Sequence, residues 1–187
     1  MNDDLSLVAA VRGNERGAFE RLVRAHQGLV WHVVYRLVQH PEDARELSQE
    51  TFLRVHQRLA QYRGDSPLAG WIARIAYHIA VRHLQRKRIP LESDIDDGGE
   101  EGAFARIADE ADIEGEHAGR QAMDLLARGL ERLPPMQRML LTLYHLDELG
   151  IAEISAITGQ PEGTIKNSLF RARHRLRGML ETKLETA

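Results

Sequence analysis

The chain contains no cysteine, and only 5% of its 187 residues are aromatic. Without cysteine there can be no disulfide framework and no thiolate metal site. There is no run of 18 or more apolar residues and no N-terminal apolar signal segment, so we expect no membrane insertion and a cytoplasmic location. With 43% hydrophobic and 28% charged residues, the composition is typical of a soluble globular protein.

Strand signals are also scarce, since no alternating apolar and polar segments flank a hairpin turn. Apolar residues instead recur at helical spacing along most of the chain, which predicts an all-α fold. Prolines stand where several of these helices should begin, in agreement with the fixed φ of proline. The predicted helices are residues 3–12, 15–38, 42–61, 67–87, 115–132, 135–146, 151–158 and 162–182.

Charge is unevenly distributed along the chain. Residues 1–90 carry a net charge of +5, residues 91–120 of −9, and residues 121–187 of +1. The acidic part contains a Gly-Gly pair and little periodicity, which indicates a linker. We therefore predict two small helical domains, residues 1–89 and 116–187, joined by an acidic flexible linker, residues 90–115. Each domain is near the size at which one core is only marginally stable.

The last predicted helix follows a short helix and a turn that contains Gly159 and Pro161. This order is typical of a helix-turn-helix, whose second helix enters the major groove of DNA. The predicted buried stripe is Ile165, Leu169, Ala172, Leu176, Met179 and Leu180. The predicted DNA-facing residues are Thr164, Lys166, Asn167, Phe170, Arg171 and His174. Arg173 and Arg175 fall on opposite flanks of that face, where we expect contact with phosphates or with acidic residues of the same domain. The alternative is a solvated basic face.

The predicted helix 42–61 has an outer face that core packing does not explain. Its buried stripe is predicted to be Ala44, Leu47, Thr51, Val55, Leu59 and Tyr62. Leu53 lies opposite, among acidic and amide side chains, and could anchor another protein while the carboxylates meet basic residues. A single exposed leucine is common, so an ordinary solvated face remains the alternative.

The predicted helix 67–87 carries an aromatic and cationic strip. Trp71, Arg74 and His78 are spaced i, i+3, i+7 and lie along one side, opposite a core stripe that includes Ile72, Ile75 and Ile79. Such a strip suits single-stranded nucleic acid, because bases stack on aromatic rings and cations bind phosphates. The alternative is that Trp71 packs in the core.

Catalytic motifs are missing from the sequence. Nine histidines are present, yet none forms H-E-x-x-H, and glycine-rich nucleotide loops and G-x-S-x-G are also absent. We therefore expect no enzyme activity, no metal and no cofactor.

Two long stretches carry a family resemblance. "DARELSQETFLRVHQRLAQYRGDSPLAGWIARIAYHIA" resembles region 2, and "LERLPPMQRMLLTLYHLDELGIAEISAITGQPEGTIKNSLFRARHRLRGML" resembles region 4, of the sigma-70 family of bacterial transcription initiation factors. The closest likeness is to the extracytoplasmic-function (ECF) group, which keeps only domains 2 and 4. The resemblance implies that the chain binds core RNA polymerase and directs it to minus-10 and minus-35 promoter elements.

The resemblance also implies roles for individual residues. Those implied to bind the clamp helices of the polymerase β′ subunit are Asp43, Glu46, Gln49, Glu50 and Leu53. Those implied to bind the minus-10 element, through a base-capturing loop from Tyr62 to Trp71 and the helix after it, are Tyr62, Arg63, Asp65, Ser66, Trp71, Arg74, His78 and Arg82. The residues from Thr164 to Arg171 would read the minus-35 element. The polymerase β flap and an anti-sigma factor, or another regulatory partner, are further implied partners.

The chain departs from the family pattern in two places. His78 stands where many relatives have Asn, and "GTIKNSL" replaces the frequent "GTVKSRL". A helix-turn-helix regulator that does not act as a sigma factor is the alternative function. Such a regulator would have a ligand pocket or a receiver sheet in its N-terminal half, where this chain is predicted to have helices.

Overall fold

The computed structural model describes residues 2–87, 89–91 and 116–184. Helices account for nearly all of this part, which contains no β-strand, so the predicted all-α fold is confirmed. Most of the predicted linker, residues 92–115, lies outside the described residues. The helices are α1 (Asn2–Arg12), α2 (Ala18–Val38), α3 (Pro41–Arg58), α4 (Leu68–Arg86), α5 (Glu116–Arg132), α6 (Pro135–His145), α7 (Ile151–Thr158) and α8 (Glu162–Leu184), with a 3-10 turn at Leu59–Gln61.

The helix boundaries follow local chemistry. Pro41 and Pro135 occupy the start of α3 and α6, where a missing backbone N–H costs nothing. Gln39 ends α2 in a left-handed conformation, and Gly159 ends α7 in the same way with φ of 75°. Because α2 and α7 end at these residues, only very short connections lead from α2 to α3 and from α7 to α8.

The N-terminal four helices share a core centred on α2, which packs against α1, α3 and α4. The predicted stripes of α3 and α4 are largely buried, although Ile75 is only partly so. The buried surface of α4 is wider than predicted, and α4 also packs against α7 of the C-terminal half. The additional buried residues of α4 are Ala73, Tyr77, Ala80 and Leu84.

The C-terminal four helices pack around α6 and α8, with α5 and α7 against α8. Ile165, Leu169 and Ala172 are buried as predicted, while the later residues of that stripe are only partly buried. The approach of α5 to α8 is close, because a Cβ on Gly129 would lie 2.6 Å from Leu176 Cδ1.

The two halves contact each other directly, through α2 with α6 and α4 with α7. As a result α6 is buried on all its sides from Met136 to Leu143. Arg138 lies in this interface and is only 2% exposed. Among the described residues, no helix is long and apolar enough to span a bilayer.

Candidate nucleic-acid and protein interfaces

The helix-turn-helix is built around the turn between α7 and α8. Gly159 provides the left-handed backbone, and Ser155 Oγ donates a hydrogen bond of 2.7 Å to the Gln160 carbonyl. Ile154 and Ile157 of α7 are buried, as is Ile165 in the first turns of α8. These contacts set the direction in which α8 leaves the turn.

The predicted DNA face of α8 points away from this core. Phe170 is 47% exposed and lies on this face. Its ring lies parallel to that of His174, with 6.5 Å between centroids. Arg171 is half-buried, and the other exposed members of the face are Thr164, Lys166, Asn167 and His174.

Arg173 and Arg175 flank this face, as predicted, and both have partners within the protein. Arg173 Nε donates to the Leu169 carbonyl at 3.2 Å, and its guanidinium lies 6.0 Å from the centre of the Tyr144 ring. Arg175 Nη1 lies 3.4 Å from Gln137 Oε1. Arg173 thus contacts a backbone carbonyl and an aromatic ring, and Arg175 contacts a side-chain amide. The sequence had pointed to phosphates or to acidic residues of the same domain, and contact with phosphates stays a prediction.

The outer face of α3 has the composition expected of a docking surface. Leu53 is 64% exposed at its middle. Glu46 and Gln49 are exposed around it, while Glu50 is partly exposed and pairs with Arg54 at 3.1 Å. An apolar anchor thus stands among acidic and amide groups.

Asp43, at the start of α3, has partners on α4. Its Oδ2 accepts a hydrogen bond of 2.6 Å from Lys87 Nζ and lies 3.2 Å from His83 Nε2. The hydrogen bond from Lys87 is the main reason that the pKa of Asp43 is lowered. Asp43 therefore joins the first turn of α3 to the end of α4, in addition to any contact with another protein.

The loop between α3 and α4 combines a buried base with an exposed rim. Tyr62 is 4% exposed, its hydroxyl donates to the Ser66 carbonyl at 2.7 Å, and burial raises the pKa of its phenol. Its ring lies 5.5 Å from that of Trp71. Arg63, Asp65 and Ser66 are exposed at the rim. The buried side chain of Tyr62 therefore supports the backbone of the loop on the side that faces the protein core.

The strip on α4 is exposed and cationic. Arg74, His78 and Arg82 are exposed, while Trp71 is half-buried and packs against the core. Burial, together with the positive charges of Arg74 and Arg82, lowers the pKa of His78. The neutral imidazole is consequently favoured in the free protein.

Two residues outside the predicted set also contact the loop. Asp4 and Arg12, both on α1, hydrogen-bond to backbone groups of residues 59–68. No local pattern signals these contacts, because the bonded residues are 47 to 64 positions apart.

The comparisons with known proteins agree with this geometry. Residues 22–89 match the family model for Sigma-70 region 2, and residues 123–176 match that for Sigma-70 region 4. The chain belongs to the sigma-70 family. The region 2 match contains α3, the loop and the strip on α4, and the region 4 match contains α7 and the N-terminal half of α8.

Curated sigma factors are similar over almost the whole chain. The RNA polymerase sigma-H factor of Pseudomonas aeruginosa is 30% identical, over 98% of this chain and 97% of that protein. The ECF RNA polymerase sigma-E factor of Escherichia coli K12 is 34% identical, over 91% of this chain and 90% of that protein. The chain is therefore an ECF sigma factor, which directs RNA polymerase to promoters.

Solved structures share the fold. CnrH in complex with the cytosolic domain of CnrY gives a TM-score of 0.65 at 21% identity, over 96% of this chain and 97% of that chain. The sigma factor RpoE of Bartonella quintana, in complex with the anti-sigma factor NepR, gives 0.64 at 19% identity, over 88% and 98%. The alternative of a regulator that is not a sigma factor has no support from these matches, because the N-terminal half matches region 2.

Proposed function

We propose that this sigma factor binds RNA polymerase and promoter DNA through three surfaces. They are the outer face of α3, the loop with the strip on α4, and the first turns of α8. The observation that carries the proposal is the helix-turn-helix. There Ile165, Leu169 and Ala172 are buried, while Lys166, Asn167 and Phe170 between them are exposed immediately after the turn. This is the arrangement in which a recognition helix presents its N-terminal residues to base edges.

The outer face of α3 is proposed to bind the clamp helices of the polymerase β′ subunit. Leu53 provides an apolar anchor that is 64% exposed, and Glu46 and Glu50 provide charges complementary to a basic partner. Asp43 contributes through its position beside Lys87, by fixing the end of α4 relative to α3.

The loop after α3 and the strip on α4 are proposed to bind the unpaired minus-10 strand. Arg63, Asp65 and Ser66 offer polar groups to an extruded base above the Tyr62–Trp71 pair. Arg74 and Arg82 follow on α4 and would bind phosphates.

The first turns of α8 are proposed to read the minus-35 element. Lys166, Asn167 and Arg171 can donate to base edges, and Phe170 can contact a thymine methyl group. Arg173 is held by Leu169 and Tyr144, so its contribution to base preference is expected to be small.

The experiment compares Arg171→Ala with Arg173→Ala in holoenzyme, on a panel of minus-35 variants titrated against salt. Arg171→Ala should cost about 1 to 3 kcal/mol at one or two base pairs and relax discrimination there. Arg173→Ala should weaken all sequences alike or do little. A base preference changed by Arg173→Ala and not by Arg171→Ala would show that α8 meets DNA with another face.

The remaining assignments concern organisation and partners. Domain boundaries at residues 1–89 and 116–187, with residues 90–115 as linker, are supported by the break in charge and by the two family matches. The polymerase β flap is a further proposed partner. So is an anti-sigma factor, by analogy with the RpoE–NepR complex. We infer that the protein acts in the cytoplasm as an initiation factor without enzyme activity or cofactor.

A further inference from the structure

Helix α1 touches the proposed minus-10 loop at the loop's C-terminal end, where α4 begins. Asp4 Oδ2 accepts a hydrogen bond of 3.0 Å from the backbone N–H of Leu68, the first residue of α4. The residue that precedes α4 is Pro67, which has no side-chain acceptor and makes no capping bond. Asp4 thus supplies from another helix the capping oxygen that α4 lacks locally.

A second contact lies at the other end of the loop. Arg12 Nη2 donates to the carbonyls of Leu59 and Tyr62, at 2.6 Å each. These carbonyls belong to the 3-10 turn and to the first loop residue, where the chain leaves helical structure. One guanidinium nitrogen therefore binds a carbonyl on each side of the junction between the 3-10 turn and the loop.

A third contact lies in the middle of the loop. Gly64 has φ of 83°, and a Cβ placed on it would lie 3.0 Å from Leu5 Cδ2. Leu5 therefore lies against the loop backbone at the position where glycine is required.

The helix that makes these contacts is itself anchored. Val8 and Val11 are 1% and 7% exposed and belong to the hydrophobic core. Within residues 62–67, the described contacts include one side-chain hydrogen bond, from Tyr62 to Ser66, so Tyr62 is the loop's own support. The match to region 2 begins at residue 22, so α1 precedes it.

We propose that α1 is the positioning element of the minus-10 loop, with Asp4 and Arg12 as positioning residues that never touch DNA. The inference rests on the proposed role of the loop in strand capture. A loop held at its start, middle and end loses less conformational freedom when it receives a base, and the base therefore binds more tightly.

The first measurement is hydrogen exchange of residues 59–70 in the free full-length protein. Asp4→Ala removes the capping oxygen, whereas Asp4→Asn keeps it. Asp3→Ala removes a charge from the same turn of α1 at an exposed position. Asp4→Ala should speed exchange of the Leu68 amide about five-fold, the usual size of a lost cap, and Arg12→Ala should speed exchange at residues 59–64. Asp4→Asn and Asp3→Ala should match the wild-type protein.

The second measurement is strand binding by holoenzyme. The probe is the single-stranded oligonucleotide that wild-type holoenzyme selects from a pool with a randomised minus-10 segment. Asp4→Ala and Arg12→Ala should weaken binding to this probe several-fold while leaving affinity for core polymerase unchanged. The Asp4→Asn variant should bind the probe as tightly as the wild-type protein does.

The outcomes separate this inference from the function it rests on. Arg63→Ala changes a residue on the exposed rim of the loop, and it therefore tests the proposed DNA-binding role of the loop itself. If Arg63→Ala weakens strand binding while Asp4→Ala and Arg12→Ala alter neither exchange nor binding, the positioning role of α1 is wrong. If Arg63→Ala has no effect but Asp4→Ala still speeds exchange, α1 positions the loop and the loop's DNA role fails. Equal losses of core binding and strand binding in Asp4→Ala, with a lowered Tm, would reduce α1 to a general stability element and overturn the proposal.

Discussion

His32 and Asp147 join the two halves of the molecule: Nδ1 of His32, on α2, lies 2.8 Å from Oδ1 of Asp147, between α6 and α7. The pair is largely shielded, with side-chain exposures of 30% and 14%. Asp147 Oδ2 is buried and, within the described part of the chain, has no hydrogen-bond partner. His32 therefore gives the other oxygen of this carboxylate, Oδ1, a hydrogen-bond partner, and it does so only while the halves are packed together.

This packing limits the distance between the two proposed DNA-binding surfaces. The names minus-10 and minus-35 place the two elements roughly 25 base pairs apart, which is about 85 Å of B-form DNA at 3.4 Å per base pair. A compact body of this chain length is about 40 Å across. If α4 and α8 read the two elements as proposed, the halves must separate before both are occupied.

A cross-link between the halves should therefore block initiation at promoters that need both elements. Because the chain has no native cysteine, His32→Cys with Asp147→Cys gives a unique pair for a short cleavable bismaleimide. We expect promoter-specific transcription to fall at least about ten-fold and to recover when the linker is cleaved, since holding the packed state closed leaves little binding-competent protein. Each single-cysteine variant, treated with the same reagent, is the control. Full activity of the cross-linked protein would show that the packed state itself initiates.

Arg138 should contribute much of the stability of the interface. It donates hydrogen bonds to the carbonyls of Arg36, Leu37, Glu131 and Leu133, and burial lowers its pKa to about 10, so it stays charged at neutral pH. Arg138→Met keeps similar volume but removes all four hydrogen bonds, although the Glu131 carbonyl still accepts one from Gln39 Nε2 at 3.0 Å. We expect a loss of roughly 2 to 4 kcal/mol in the free energy of unfolding, measured with urea. Exposed Arg132→Met is the matched control and should change stability by less than about 0.5 kcal/mol.

The α3 face can be tested with two equally exposed leucines. Leu53 and Leu146 are each 64% exposed, one on α3 and one after α6. Leu53→Asp should reduce capture of core polymerase by about 100-fold or more, because it buries an unpaired charge at the anchor of the interface. Leu146→Asp should leave capture near the wild-type level in the same pull-down. Comparable capture by Leu53→Asp and wild type would remove α3 from the polymerase interface.

Strand binding should depend on pH through His78. The pKa of His78 in the free protein is lowered by burial and by Arg74 and Arg82, and the phosphates of a bound strand would raise it. The complex then binds more protons than the free protein at pH values between the two pKa values of His78, so affinity should rise as the pH falls through that window. His78→Asn should flatten this dependence and shift preference at one minus-10 position. An identical pH profile for both proteins, measured by anisotropy in holoenzyme, would remove His78 from the strand-binding set.

The positions of the helices could be read from the sequence because they depend on local spacing. The period of the apolar residues, with Pro41 and Gly159 as boundaries, predicted every helix to within a few residues of its observed ends. The same spacing predicted that Leu53 and Phe170 would be exposed, since a helix places such residues opposite its buried stripe.

Contacts between elements were decided only by the tertiary structure. The sequence placed Asp43 on a docking face, but packing brought Lys87 and His83 beside it. Arg138 is buried because α2 packs against α6, and Asp4 meets Leu68 only because α1 folds back across the loop. Helical periodicity reports which side of one helix is apolar. The identity of the element that covers that side depends on contacts between distant residues, which leave no periodic trace in a single sequence.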